Sequence, residues 1–599
     1  MPAVAASDPL PSGRLDRDQR ERALERLARE PFDLVVVGGG VTGCGVALDA
    51  ATRGLSVALL EKGDWSCGTS SRSGKLIHGG LRYLEQLQFD LVRESLRERA
   101  LMLRRLCPHL VRPAAFMYLL EHPVWERAYI GSGLGLYDML GGAGAVPRHR
   151  HLTRRGALAV APGLRPAAFR GGLTFYDAEF DDARHTMMLA RTARAYGVEV
   201  ASRAEATAYE RAGDRVRGLR VRDLESEAEI TVRARHVVNA AGVWTDPLHE
   251  RLGVDGGLRV RASKGVHLVV PADRIETKVG FTVRAERDPM IFVRPWDNGR
   301  FWIFGTTDTP WHLELERPAT TAADIDYLLR NVNRFLTRPL TREDLVGAYA
   351  GLRPLVAGAS EETSHLSREH AIASPTPGLT TVAGGKYTTY RVMAADAVDH
   401  AAADFPETVP ASCSDRIPLL GAEGWPALWN RRHRLIAQSG LEPEQLEHLL
   451  HRHGTLVYDV LALIRDRPEL GQPVTGAEHY LRAEALYGAT HEGALHLEDI
   501  IERRLRASIE SHDRGSRAAE ELAPLAAEAL GWDAPTSSRE LEHCRRLIAA
   551  DLAAERQPDD DSATSAARIT IGDPEPAEGD GLGSRRTRHA PDPSSVSRR

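Results

Sequence analysis

The sequence is poor in the features that mark secreted, membrane-spanning or nucleic-acid-binding proteins. Its five cysteines, Cys44, Cys67, Cys107, Cys413 and Cys544, lie far apart and form no C-x-x-C pair. An odd, scattered set excludes a disulfide framework and gives no metal site, and it points to a reducing, cytoplasmic setting. No uncharged apolar run reaches roughly 18 residues, so no membrane-crossing helix is expected. The first residues lack a basic segment followed by an apolar core, so no signal peptide is expected. A net charge of −6 gives no general reason to look for nucleic acid. No internal repeat is visible. At 599 residues the chain is too long for one core, and two or three domains are expected.

The clearest feature present is "FDLVVVGGGVTGCGVALDAATRGLSVALLEKGD", residues 32–64. Its pattern predicts a buried strand over 33–37, a helix over 43–53 and a second strand over 56–60. Gly38-x-Gly40-x-x-Gly43 falls between strand and helix, the context that gives this spacing meaning. There the glycines allow a tight turn, close approach to a pyrophosphate and close helix–strand packing, and the helix N-terminus faces the phosphates. Glu61 ends the second strand, eighteen residues after Gly43, where an acid accepts hydrogen bonds from ribose hydroxyls and repels a 2′-phosphate. NADP is therefore disfavoured. A long polar segment follows, "CGTSSRSGKLIHGGLRYLEQ" (67–86), with four hydroxyls, Lys75 and the pair Gly79–Gly80. It suits a long polar cofactor better than a nicotinamide enzyme would require.

The rest of the chain alternates in character. Residues 1–12 read as disordered, and 14–30 as a charged, solvated lead-in helix with Leu24, Leu27 and Ala28 on one face. An amphipathic helix is expected over 85–106. A strand running into a glycine turn is expected at 232–242. Residues 264–307 predict strands with a hairpin at "WDNG". The stretch 378–398 reads as strand, glycine turn and helix. From about 425 to 555 nearly all is helix. Residues 557–599 contain no Phe, Tyr or Trp and read as a disordered tail.

Six further motifs carry a resemblance: "SSRSGKLIHGGLRYLE", "NAAGVW", "SKGVHLVVP", "IFGTTDT", "YAGLRPL" and "GGKYTTYR". In this order and spacing the chain resembles FAD-dependent glycerol-3-phosphate dehydrogenases from about residue 32 to 400. The helical region resembles that family's C-terminal domain through "RHGT" and "EALYGATHEGALHLEDIIERRLR". One departure is Gly74, where the family pattern has Ser. The resemblance implies an α/β FAD/NAD(P)-binding, Rossmann-like domain with an inserted antiparallel β substrate-capping domain (32–400). A helical C-terminal domain (411–556) would follow, between an N-terminal arm (1–31) and the tail. It implies oxidation of sn-glycerol 3-phosphate to dihydroxyacetone phosphate, hydride transfer to FAD and electron delivery to a quinone. Carried over residue by residue, Gly38, Gly40, Gly43, Glu61, Ser70, Ser73, Lys75, Leu76, His78, Gly384, Gly385 and Lys386 would hold FAD. Arg82, Tyr83, Arg353 and Arg391 would bind substrate. Arg353, His267 and Lys386 are the catalytic candidates, and Thr307 and Asp308 would shape the pocket.

Alternatives stay open at this point. An oxidase of the same architecture would hand electrons to oxygen, and a flavin-binding regulatory protein would have no turnover. An amino-acid oxidase would need carboxylate recognition in place of phosphate recognition. Residues 113–155 join apolar and aromatic side chains to the basic "RHRHLTRR", which suits either a segment lying on a membrane face or a buried helical hairpin. The oligomeric state is open, with a homodimer allowed.

Overall fold

The computed structural model describes residues 13–568 apart from 142–144, 255–257, 287–289 and 357–369, and apart from the side chains of Arg82 and Glu85. The strand Phe32–Val37 lies in the middle of a sheet covered on both faces, which is why it is apolar almost throughout. Leu34 and Val36 enter one core, Val35 and Val37 another. Val57–Leu60 pairs parallel on one side and Glu229–Asn239 parallel on the other. The sheet continues to Glu199–Ala201 at one edge, and through Leu379–Gly384 to His370–Thr376 at the other. One neighbour of Phe32–Val37 thus follows it directly and the other comes much later in the chain. Strand order reverses there, and a crevice opens beyond the strands' C-terminal ends. The helix Val41–Thr52 starts in that crevice.

A ten-stranded sheet forms the cap. Its long strand Val260–Pro271 pairs antiparallel with Phe301–Gly305, Thr309–Trp311 and Gly347–Val356. Ile291–Trp296 meets Phe301–Gly305 across Asp297, Asn298 and Gly299, at φ 48°, 58° and 78°, the left-handed turn that "WDNG" predicts. Val266, Leu268, Val293 and Phe304 bury one face of this sheet under the helix Ala322–Asn333.

Residues 113–120 need correction. They belong to the strand Val111–Leu120, paired with Gly171–Phe180 inside the cap sheet, and form neither an interfacial segment nor half a helical hairpin. Phe116, Tyr118 and Leu120 fill one core while Met117 and Leu119 fill another. A strand buried on both faces reads as a continuous apolar run, which periodicity cannot distinguish from a helix. The helix expected over 85–106 is Phe89–Leu101 followed by a wider turn, Met102–Leu106.

Both flanking regions are more integrated than composition suggests. In the helix Arg17–Arg29, Ala23 and Leu27 are sealed and Arg20 pairs with Asp223, so the arm is packed where a solvated helix was expected; Ala28 alone of the anticipated face is exposed. At the other end, Asp560–Ala567 is a helix inside the expected tail. Ala563 and Ala567 pack with Ala319 and Ala554, and Asp560 pairs with the buried Lys264. The expectations for 1–12 and 569–599 fall outside the described residues.

The C-terminal helices dock on the other domains through buried charge. Asp64 accepts from Arg503 at 2.5 Å and from Arg504 at 2.7 and 2.8 Å. Arg506 reaches Asp182 at 3.0 Å, and Arg184 pairs with Glu492. Removing one member would strand a desolvated charge, which costs far more than a surface pair.

Candidate active site

A cavity of about 460 Å³ runs from the glycine-rich turn to the cap sheet. Gly38, at φ 116°, and Gly40 line it. Gly43 does not; a Cβ there would stand 1.9 Å from the Gly38 carbonyl oxygen, so its requirement is packing. Glu61 is buried on the cavity wall, with Oε2 accepting from the Gly39 N–H and Oε1 from the Gly63 N–H, both at 2.6 Å. Desolvation dominates these bonds and raises its pKa. Ser70 Oγ accepts from the Val41 N–H at 2.9 Å and so ties the polar loop to the helix N-terminus. Ser73, Leu76 and His78 also face the cavity.

At the opposite end, Gly384 and Gly385 turn the chain at φ 78° and 79° before the helix Tyr390–Ala402. Lys386 Nζ donates to Ser95 Oγ at 2.6 Å and lies 4.5 Å from the ring centre of Tyr83. Tyr83 is on the short helix Leu81–Glu85; Arg82 is on the same helix, with its side chain outside the described set. From the cap sheet come His267 and Arg353. The His267 ring is stacked on Tyr349, 5.0 Å between centroids at 14°. A Cβ on Gly74 would lie 3.6 Å from His267 Nε2, so the missing side chain at 74 leaves that nitrogen open to the cavity. Burial, then the charges of Arg294, Arg353 and Lys75, hold His267 well below its usual pKa, and its ring is neutral near pH 7. Arg353 is anchored on the segment 306–308: it donates to Thr306 Oγ1 at 3.0 Å, to the Thr307 carbonyl at 3.2 Å and to Asp308 at 3.1 Å.

Two expected site residues point elsewhere. Arg391 forms a two-pronged pair with Glu98 at 2.6 and 2.8 Å and does not line the cavity. Lys75 is fully buried behind the loop, donating to Asp182 at 2.6 Å and the Ser71 carbonyl at 3.0 Å; burial lowers its pKa to about 8. It anchors the loop from below. Sequence reading also passed over Trp244, which lines the cavity. Its indole lies under Lys62 at 5.3 Å and its Nε1 donates to Glu316 at 3.3 Å. Its place in "NAAGVW", just after a strand end, was the available signal.

A glycine cradle at a helix N-terminus, a buried carboxylate at the ribose position and a second glycine turn at the far end fit one extended dinucleotide. Comparison with known proteins agrees. A family model described as FAD dependent oxidoreductase matches residues 33–391, and one described as C-terminal domain of alpha-glycerophosphate oxidase matches 412–537. The chain is 52% identical to a glycerol-3-phosphate dehydrogenase of Mycobacterium leprae (strain TN) over 553 residues, covering 92% of this chain and 94% of the relative. It is 35% identical to the mitochondrial glycerol-3-phosphate dehydrogenase of Mus musculus, covering 88% and 75% respectively. A solved glycerol-3-phosphate dehydrogenase from Bacillus halodurans, complexed with FAD, matches with a TM-score of 0.73 at 28% identity, covering 90% of this chain and 97% of that one.

Proposed function

We propose that this chain, which belongs to the FAD-dependent glycerol-3-phosphate dehydrogenase family, oxidises sn-glycerol 3-phosphate to dihydroxyacetone phosphate and passes the electrons to a quinone. The observation that carries the reading is one cavity lined by a neutral imidazole, His267, an anchored guanidinium, Arg353, and an ammonium, Lys386. A phosphate dianion needs cations, and Lys386 on the cavity wall, next to Tyr83, supplies one. His267 Nε2 takes the proton of the C2 hydroxyl; a neutral ring is the form that can. FAD, when bound, supplies the acceptor for the hydride from C2. Arg353 presents a planar fork to the hydroxyl or to the phosphate, its orientation set by the 306–308 segment.

Anaerobic mixing with glycerol 3-phosphate should bleach the flavin, and plain glycerol should not. Reoxidation should then be faster with a quinone than with oxygen. The reverse order would make the protein an oxidase, and absence of bleaching would leave a flavin-binding protein without turnover.

Contact with a membrane face is supported by the helix Trp125–Leu140 and its flanks. Val124, Trp125, Tyr129 and Met139 are each more than half exposed, and the exposed Arg148, Arg150, Arg154 and Arg155 follow. Apolar anchors beside arginines suit an anionic lipid surface, where a quinone would be met. Among the described residues no helix is long and apolar enough to cross a membrane.

A further inference from the structure

Arg294 is a buried cation that the chemistry above does not use. It lies on the strand Ile291–Trp296 and is 2% exposed. Register fixes its direction. Tyr349 stands opposite His267, His267 opposite Gly305, and Gly305 opposite Phe292. Opposed residues share a face of the sheet, as do residues two apart on a strand. Arg294 therefore emerges on the face that carries His267 and Tyr349, while Val266, Leu268 and Val293 fill the apolar core behind. Its Nη1 and Nη2 are both buried without a hydrogen-bond partner, and so is His267 Nδ1. Leaving even one buried donor unmet costs about 1–3 kcal/mol, more when it is charged. An arginine retained in that state calls for a reason.

His267 is stacked on Tyr349, and three cations act on it through space: Arg353 from the adjacent strand, Lys75 from behind the polar loop, and Arg294. Lys75 is paired with Asp182 and Arg353 with Asp308. Arg294 has no ion pair among the described residues. Of the acids in its surroundings, Asp182 is committed to Lys75 and Arg506, while Glu179 pairs with Arg112 through Oε1 and offsets Arg294 only through space, without a hydrogen bond or ion pair. Its charge is thus the least compensated of the three.

We propose that Arg294 is a positioning residue whose charge, unpaired among the described residues and on the shared face of the cap sheet, adds to burial in keeping His267 in its neutral, proton-accepting form. The inference rests on the reading of His267 as the base. Without Arg294, less opposes protonation of the ring, its pKa rises, and the base is lost at a higher pH than in the wild type.

The test is the pH dependence of anaerobic flavin reduction by glycerol 3-phosphate, each enzyme compared with its own alkaline plateau. Arg294→Met should shift the acid limb to higher pH, lowering relative rate at the acidic end by about tenfold, the effect of removing one like charge near an ionising group. Arg294→Gln, which keeps hydrogen-bonding capacity without charge, should do the same and serves if the Met variant does not fold. Arg294→Lys should restore the wild-type limb. Independently of turnover, peptide-resolved carbethoxylation of His267, which proceeds only on the neutral ring, should move its midpoint in the same direction in the holoenzyme. If neither midpoint moves, or if only KM rises as for a phosphate ligand, while His267→Gln removes the limb, the inference about Arg294 is wrong and the base assignment stands. If His267→Gln keeps the limb, both are wrong.

Discussion

Replacing Arg353 by lysine keeps the charge and removes the fork. Arg353 lies on the strand Gly347–Val356 opposite Ser263, and Pro354 restricts its backbone to an extended form. Its Nη1 and Nη2 both donate to the 306–308 segment, so the plane of the guanidinium is set before any substrate arrives. Lysine can satisfy Asp308 or the substrate, but cannot hold one while presenting a flat edge to the other. A hydrogen bond to a charged group is worth about 1.5–3 kcal/mol, so the loss of one such contact should lower kcat/KM by about 2 kcal/mol, roughly thirtyfold. Flavin content should be unchanged, since the anchoring loop lies on the cap. Steady-state kinetics separate two cases. If Arg353 holds the phosphate equally in ground and transition states, KM rises with kcat nearly intact; if it meets charge developing at the C2 oxygen, kcat falls. A variant with full flavin and near-native kcat/KM would reduce Arg353 to an ion-pair partner of Asp308. Arg391, tied to Glu98, could not replace it, and Lys386 and Arg82 would remain.

Gly40→Val should give folded protein without yellow flavin absorbance: an added Cβ already comes 3.1 Å from Ser70 Oγ on the cavity wall, and normal flavin content would refute the cradle. Truncation after Arg556 should lower the thermal midpoint relative to truncation after Arg568, because it also removes Ala563, Ala567 and one carboxylate partner of Lys264, together about 2–3 kcal/mol; equal midpoints for the two truncations would mean the helix Asp560–Ala567 is not docked. The Glu492 carboxylate, buried with Arg184, is held down to about pKa 2, so its stabilisation is complete above the ordinary glutamate range and is lost as pH falls toward 2. Glu492→Gln should therefore be less stable at pH 7 and show a shallower acid loss; parallel stability curves would count against the pair. Changing Arg148, Arg150, Arg154 and Arg155 to Gln should weaken sedimentation with anionic vesicles and flatten its salt dependence while turnover with a soluble dye survives, and unchanged sedimentation would remove the membrane reading.

What the sequence made legible is what local chemistry dictates. Gly38, Gly40 and Glu61 could be placed on the cavity wall because a turn, a helix start and a strand-end acid sit within one βαβ unit. The hairpin at "WDNG" followed from residues that tolerate left-handed backbone. Burial between distant segments was not legible. Arg391 and Arg353 look alike in their motifs, and only the fold brings Glu98, 293 positions away, against Arg391. Lys75 sits among cofactor-facing residues, yet its backbone at φ 51° sends the side chain under the loop to Asp182. Asp560 belongs to a tail too polar to suggest packing, and it packs because its carboxylate meets the buried Lys264, which also pairs with Asp324. In each case the missing information is which acid, far along the chain, lies beside a given base. That information separates cations paired off the cavity from those that face it. Arg391 and Lys75 are spent on Glu98 and Asp182 off the cavity wall, while Arg353 and Lys386 face the cavity. Arg294, one more strand arginine in "VRPW", is distinguished by having no ion pair among the described residues. An unpaired charge buried on the same face as a neutral imidazole acts on that imidazole whether or not the two touch, because burial of both groups weakens the screening of their interaction.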